Sequence, residues 1–84
     1  MYHRISNVKP AGGLFIEAAF QNGVVKRYDV APLLSLHPAF RALRDVPGLF
    51  ELVHVDAGGY GVAWNDDLDL ECEDIWCNGV PATP

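Results

Sequence analysis

The sequence contains few of the residues on which disulfides and metal sites depend. Only two of its 84 residues are Cys and three are His. Cys72 and Cys77 fall in one predicted helix and point about 140° apart, so we expect reduced thiols. His3, His37 and His54 are scattered and do not complete the ligand spacing of a structural zinc site. We therefore predict no metal and no cofactor.

Long apolar runs are also missing from the sequence. No stretch approaches the roughly 18 apolar residues of a membrane helix, and the segment Met1–Arg4 is not followed by the apolar run of a signal peptide. We expect a cytoplasmic protein without membrane contact. The length predicts one domain, 1–84, with an ordered core over about 5–78 and a frayed tail over 79–84.

Basic residues are absent from the second half of the chain. All six Lys and Arg lie within residues 1–44, which carry +4, whereas residues 45–84 carry −9, for a net charge of −5. An acidic surface repels phosphates, which disfavours direct nucleic-acid binding. The charge favours a small basic protein as the partner. The competing interpretation is that the acidic residues only keep a small domain soluble.

The first half of the chain shows the alternation of β-strands. A short apolar segment, Ile5 to Val8, ends before Pro10. In residues 14–20 a strand would place Leu14, Ile16, Ala18 and Phe20 on one face and Glu17 on the other, which predicts a half-buried strand. Asn22-Gly23 predicts a type I′ turn, with positive φ at both residues, and residues 24–30 form the returning strand.

The period then changes to that of a helix. Leu36, Phe40 and Leu43 recur at helical spacing, which predicts one short amphipathic helix. We expect it to begin near Pro38 and to end before Pro47.

The second half predicts another hairpin and a final helix. Residues 53–56 and Gly61–Trp64 read as strands around a glycine turn, with Trp64 in the core. Glu71 to Cys77 predicts a helix that ends with Asn78-Gly79 in the left-handed conformation. The predicted fold class is therefore α+β, a small antiparallel sheet of two hairpins with four to five strands, packed with two short helices.

The acidic stretch from Asn65 to Trp76 allows several interpretations. A calcium loop starting at Asp67 would need Gly and Glu where the chain has Cys72 and Asn78. A catalytic pair needs an apolar pocket that raises the pKa of one carboxyl, which an exposed turn does not offer, so we predict no catalytic residues.

The structural interpretation of this stretch assigns each acid a local role. Asp66 and Asp67 suit a turn, and Asp69 or Glu71 is expected to cap the last helix. Glu73 and Asp74 then lie in the first turn of that helix, where the helix dipole favours negative charge.

The same stretch is the candidate partner-binding surface. Charge would guide association, and an aromatic side chain, Trp76 or Tyr60, would anchor it, although a core position suits Trp76 better than an anchoring one. The candidate binding residues are Asp66, Asp67, Asp69, Glu73, Asp74 and Trp76.

Several short patterns in register resemble a known family. They are Asn22-Gly23, Tyr28-Asp29-Val30-x-Pro32-Leu33-Leu34, Leu43-Arg44-Asp45, Leu49-Phe50 with Val53-x-Val55-Asp56, Val62-x-Trp64-Asn65, and Asp69-Leu70 before an Ile-Trp helix. Together they resemble the domain of unknown function family numbered 2442, over about Ile5 to Asn78. The individual residues that match are Tyr28, Asp29, Pro32, Leu34, Asp45, Trp64, Asp69 and Leu70. The sequence departs from the family pattern at Asn65-Asp66-Asp67 and at Cys72.

The resemblance implies a small bacterial α+β domain, often encoded beside another small protein in a toxin and antitoxin arrangement. It offers no motif of known catalytic residues to carry over to this sequence. We therefore expect an accessory or antitoxin-like binding protein that pairs with a small basic protein through its acidic region. The alternatives are a DNA-contacting regulator that uses the basic hairpin and helix, and a small hydrolase. The pattern leaves open whether strand edges pair two copies into a homodimer.

Overall fold

The structure, a computed structural model, describes residues 3–82. Within that range the strands β1 Ile5–Pro10, β2 Phe15–Phe20, β3 Val25–Asp29 and β7 Val80–Pro81 form one antiparallel sheet in the order β1-β2-β3-β7. The strands β4 His54–Val55, β5 Gly61–Asn65 and β6 Leu68–Glu71 form a second antiparallel sheet in that order. The α-helices are α1 Ala31–Leu36, α2 Ala42–Asp45 and α3 Cys72–Asn78.

The α+β class is confirmed, and the structure divides the strands between two sheets rather than one. Short 3-10 segments connect the elements, at Pro38–Arg41, Phe50–Leu52 and Ala57–Gly59. No helix within residues 3–82 has the length and apolar character needed to cross a membrane.

One buried cluster joins both sheets to α3. Ile5 and Ile16 contribute from the first sheet, Val62 from the second and Ile75 from α3, and each is at most 1% exposed. Burying such a side chain stabilises the fold by about 1.5–3 kcal/mol relative to leaving it in water. This shared core holds α3 against both sheets.

The hairpin of β2 and β3 is confirmed, but the predicted turn type is wrong. Gly23 has φ +91°, whereas no non-glycine residue of the described chain has positive φ, so Asn22 does not adopt the type I′ conformation. The N–H of Gly23 donates to the Phe20 carbonyl at 2.9 Å, which makes a type I turn followed by a left-handed glycine. The Asn22 carboxamide accepts from the N–H of Val24 at 3.0 Å and stabilises this alternative.

The predicted amphipathic helix is two helical pieces, and Leu36 does not belong to it. The 3-10 segment at Pro38–Arg41 continues into α2, where Leu43 is buried and Phe40 half-buried. Leu36 instead ends the additional helix α1 and is 70% exposed. His37 is extended, with φ −131° and ψ 98°, because the residue before a proline is pushed out of the helical region.

The structure forms a strand where a turn and helix cap were expected. Leu68 and Leu70 are buried and their neighbours are exposed, which is the alternation of β6. The turn is confined to the residues after Asn65, whose side chain accepts from the N–H groups of Asp67 and Leu68 at 2.9 Å. Glu71 occupies the N-cap position of α3, but its side chain makes no capping hydrogen bond, so the predicted cap is wrong.

The helix α3 is confirmed to within one residue, but its predicted left-handed ending is wrong. Gly79 has φ −77° and ψ 160°, an extended conformation. The chain passes directly into β7, in which Val80 pairs with Arg27 of β3. Two residues of the predicted frayed tail, Val80–Pro81, thus form a strand, and positions 83 and 84 lie outside the described residues.

Candidate functional site

An open cleft of about 910 Å³ lies where the end of β3 and α1 face β6 and α3. We call it the acidic cleft. Its four carboxylates come from three elements or their ends, and all four residues are exposed: Asp29, Asp69, Glu71 and Asp74. Its apolar surface includes Tyr28, Leu33, Leu36 and Phe40.

Local chemistry positions the wall formed by β3 and α1. Asp29 ends β3, and its carboxylate accepts from the N–H of Ala31 at 3.0 Å. Pro32 occupies the first turn of α1, where its missing N–H costs no helical hydrogen bond. Asp29 followed three residues later by Pro32 is a helix-start signal, which could have revealed α1 from the sequence. Asp29, whose carboxylate accepts from the first residue of α1, thus lies at the cleft.

The opposite wall depends on the alternation of β6 and the orientation of α3. Because Leu70 is buried, Asp69 and Glu71 project from the other face of the strand. Ile75 is fully buried in the core, and Asp74 beside it lies in the first turn of α3 and lines the cleft. Two elements thus deliver three carboxylates to one wall.

The electrostatic field in the cleft is negative. Burial raises the pKa of Tyr28, and the carboxylates of Asp74 and Asp29 raise it further. Among the residues that the structure describes, no Lys or Arg lines the cleft, and His37 is its one basic side chain. None of its carboxylates takes part in an ion pair within residues 3–82. The site therefore has uncompensated negative charge beside apolar surface.

The six predicted binding residues are distributed over three places. Asp69 and Asp74 lie in the acidic cleft. Asp66 and Asp67 lie in the β5–β6 turn, where Asp66 lines a separate cavity of about 250 Å³. The remaining two, Glu73 and Trp76, contact His3. The six predicted residues do not include Asp29, Glu71 or the apolar wall. Asp29 and the apolar wall come from the first half of the chain, and Glu71 was predicted only as a helix cap.

His3, which precedes β1, is held against α3 by several contacts. Its backbone N–H donates to Glu73 Oε2 at 2.8 Å, and its ring Nδ1 lies 3.0 Å from the same oxygen. The ring also stacks on Trp76 with centroids 3.8 Å apart, while Lys26 Nζ lies 4.8 Å from the Trp76 centroid. The hydrogen bond from the His3 backbone is the main cause that lowers the pKa of Glu73. These contacts give Trp76 a structural role.

Cys72 lines a second cavity of about 410 Å³ but is not prepared as a nucleophile. Burial raises the pKa of its thiol, and the neighbouring carboxylate of Glu73 raises it further. Nucleophilic cysteines need a lowered pKa and a nearby cation or base. The side chains of Asp56 and Glu71 that share this cavity are acidic. Both Cys72 and Cys77 are free thiols, as expected.

The basic residues of the first half are engaged in separate local contacts. Lys9 and Arg27 both pair with Glu17, at 3.7 and 3.4 Å. Arg44 pairs with Asp45 at 2.7 Å. Three of the six Lys and Arg residues are therefore paired with carboxylates, which partly neutralises the charge that they could offer to phosphates.

One comparison with known proteins matches this chain to a protein family. A family model described as a protein of unknown function, DUF2442, matches residues 5–80. This match confirms the resemblance seen in the sequence. No curated protein and no solved structure matches the chain.

Proposed function

The chain belongs to the DUF2442 family of proteins of unknown function, and we propose that it binds a basic segment of a partner protein in the acidic cleft. The observation that carries the proposal is the group of four cleft carboxylates that have no cationic partner among residues 3–82. The partner would be a small basic protein encoded nearby in a bacterial genome, paired with this chain in the cytoplasm as a toxin is with its antitoxin.

Charge would mainly speed and orient association, whereas apolar surface would supply most of the affinity. Exposed ion pairs are each worth about 0.2–1 kcal/mol, so four carboxylates mainly accelerate and orient the encounter. Most affinity must come from apolar burial, for which Leu36, 70% exposed, and the half-buried Phe40 are available. A partner segment that combines Lys or Arg with one apolar side chain fits both features.

A binding role suits the cleft better than catalysis. The carboxylates of Asp29, Asp69 and Asp74 are exposed, whereas a general acid at neutral pH needs an apolar pocket that raises its pKa. Tyr28 has its pKa raised further from neutrality, which weakens it as a proton donor or acceptor. We therefore propose a module without enzymatic activity.

The test compares two triple variants with equal changes of net charge. The cleft variant carries Asp69→Asn, Glu71→Gln and Asp74→Asn. The turn variant carries Glu51→Gln, Asp66→Asn and Asp67→Asn, at exposed positions outside the acidic cleft.

Each tagged protein is used to capture partners from the native lysate at low and high salt, followed by mass spectrometry. The proposal predicts one stoichiometric basic protein, retained by the wild type and the turn variant at low salt and lost from the cleft variant. Retention by all three proteins, or equal loss from both variants, would show that the cleft does not bind it.

A further inference from the structure

The two sheets expose strand edges that differ in their protection. In the first sheet, β1 has a register shift after Ile5 and carries Lys9 and Pro10, and β7 has only two residues, one of them Pro81. In the second sheet, β4 also has only two residues. Bulges, lysines, prolines and shortness are the usual devices against unwanted strand pairing. The four-residue edge strand β6 has no lysine or proline and lines the acidic cleft. Its pairing with β5 has a register shift between Ala63 and Asn65, and its own protection against unwanted pairing is the negative charge of Asp69 and Glu71.

The hydrogen-bond pattern shows which backbone groups of β6 point away from its sheet. The N–H of Cys72 donates to the Tyr60 carbonyl at 2.8 Å. Leu70, two residues before Cys72, lies opposite Val62, two residues after Tyr60. In an antiparallel pair every second residue bonds to its neighbour strand, so Leu70 faces β5. The backbone groups of Asp69 and the N–H of Glu71 therefore face outward, where the cleft lies.

These outward groups have no hydrogen-bond partner in the described part of the chain. The Glu71 carbonyl differs, because an N-cap carbonyl accepts the first hydrogen bond of the helix, here α3. One carbonyl and two N–H groups remain, spaced as an added strand requires. An extended segment lying here would also lie between the side chains of the acidic cleft.

Charge selects the occupant of this edge. A second copy of β6 would bring its own Asp69 and Glu71 against the same residues, and like charges opposite each other destabilise strand pairing. A segment with basic side chains at alternate positions would meet these two carboxylates on one face. Asp29 and Asp74, which also line the cleft, add to the attraction.

We propose that β6 receives an extended, Lys- or Arg-bearing segment of a partner protein as an added strand, with basic side chains opposite Asp69 and Glu71. This inference rests on the proposed function and specifies how the partner binds. Main-chain hydrogen bonds supply affinity and alternate side chains supply specificity, as in other cases of strand addition. The partner segment is therefore extended and not helical.

The first experiment uses a short peptide in which Lys alternates with Val, and a control peptide of the same composition with its lysines grouped at one end. Binding is measured by fluorescence anisotropy, and amide hydrogen exchange by NMR. The alternating peptide should bind more tightly than the control. It should also slow exchange of the Asp69 and Glu71 N–H groups at least tenfold, with little change at Leu70, which already bonds to β5.

A matched pair of variants separates the backbone group from the charge. Asp69→Asn removes the carboxylate and should weaken binding of the alternating peptide roughly 1.4- to 5-fold. Asp69→Pro also removes the outward N–H, which an edge strand tolerates, and should weaken binding by a further 2- to 13-fold. Thermal unfolding shows whether the Asp69→Pro variant is folded. If it is not, amide exchange at Asp69 and Glu71 of the wild type still tests strand addition.

The outcomes distinguish the two proposals. If both peptides bind equally, exchange at Asp69 is unchanged, and the cleft variant still abolishes binding, strand addition is wrong and the acidic cleft remains the binding site. If the cleft variant binds the alternating peptide as well as the turn variant does, the proposed function itself is wrong. Absence of binding by either peptide to the wild type would overturn both.

Discussion

Gly79→Ala should destabilise the protein although its backbone conformation suits alanine. With φ −77° and ψ 160°, an alanine would ordinarily stabilise the fold by about 0.4–1 kcal/mol, because it restricts the unfolded chain. A Cβ at position 79 would, however, lie 2.5 Å from the Ile75 carbonyl oxygen, 3.2 Å from that of Arg27 and 3.3 Å from Lys26 Cβ. The end of α3 and the β3–β7 pairing would have to separate to make room.

The expected magnitude follows from the cost of overpacking. Forcing a methyl group into a filled site typically costs about 1–3 kcal/mol. For a domain of this size each kcal/mol lowers the melting temperature by roughly 4–8 °C, so Gly79→Ala should lower it by about 4–24 °C. Thermal unfolding followed by circular dichroism measures the change.

Gly23 provides the control, because its glycine is required for a different reason. It has φ +91° and nothing lies within 4 Å of a Cβ at that position. Gly23→Ala should cost about 1–2 kcal/mol through backbone strain, and Gly23→Asn less, because asparagine tolerates the left-handed region. Gly79→Asn should be as damaging as Gly79→Ala. An unchanged or higher melting temperature for Gly79→Ala would refute the proposed close contact.

Three further predictions concern ionisable groups. Asp74→Asn should lower the pKa of Tyr28 toward its ordinary value, because it removes the second cause that raises it; absorbance titration of the variant with and without Tyr28→Phe measures this, and an unchanged pKa would place Asp74 away from the hydroxyl. The neutral Tyr28 stabilises the fold fully below the unfolded-state pKa, and this stability is lost as pH rises through the folded-state pKa. Glu73→Gln should destabilise the protein most at pH 7, and its effect should shrink as pH falls from the unfolded-state pKa through the lowered folded-state pKa, because the stability contributed by the ionised carboxylate is lost over that range. Urea unfolding at a series of pH values from 7 downward tests this, and an effect that does not change with pH would contradict it. Iodoacetamide at pH 8 should modify the exposed Cys77 and spare Cys72 until the chain unfolds, as read by mass spectrometry, and rapid modification of both thiols would contradict the buried, raised-pKa description of Cys72.

Local patterns in the sequence predicted the elements whose cause is local. The alternation before Asn22-Gly23 predicted the β2–β3 hairpin, and Gly23 does adopt positive φ. The spacing of the last acids and apolar residues predicted α3 to within one residue. Such patterns succeed because each depends on neighbours a few residues apart in the chain.

The errors occurred where distant residues decide the conformation. The stretch Leu68–Glu71 could satisfy either a helix entry or a strand, and its pairing with Gly61–Asn65 selects the strand. Gly79 was expected to end α3 in the left-handed conformation, but the next residue, Val80, pairs with β3, and the chain at Gly79 is extended where it enters that pairing. Packing overrides local preference in both cases because an unpaired, buried backbone is costly.

The candidate site shows the same division between sequence and structure. Composition alone shows that the second half of the chain is acidic, and the spacing of Cys and His does not match a structural zinc site. The local patterns of the whole chain predict an α+β fold, which is confirmed. Tertiary packing is what brings Asp69 and Asp74 to face Asp29 across a cleft while Glu73 is bound to His3. Charge is a property of composition, whereas the position of a side chain on a strand or helix depends on which face the core buries.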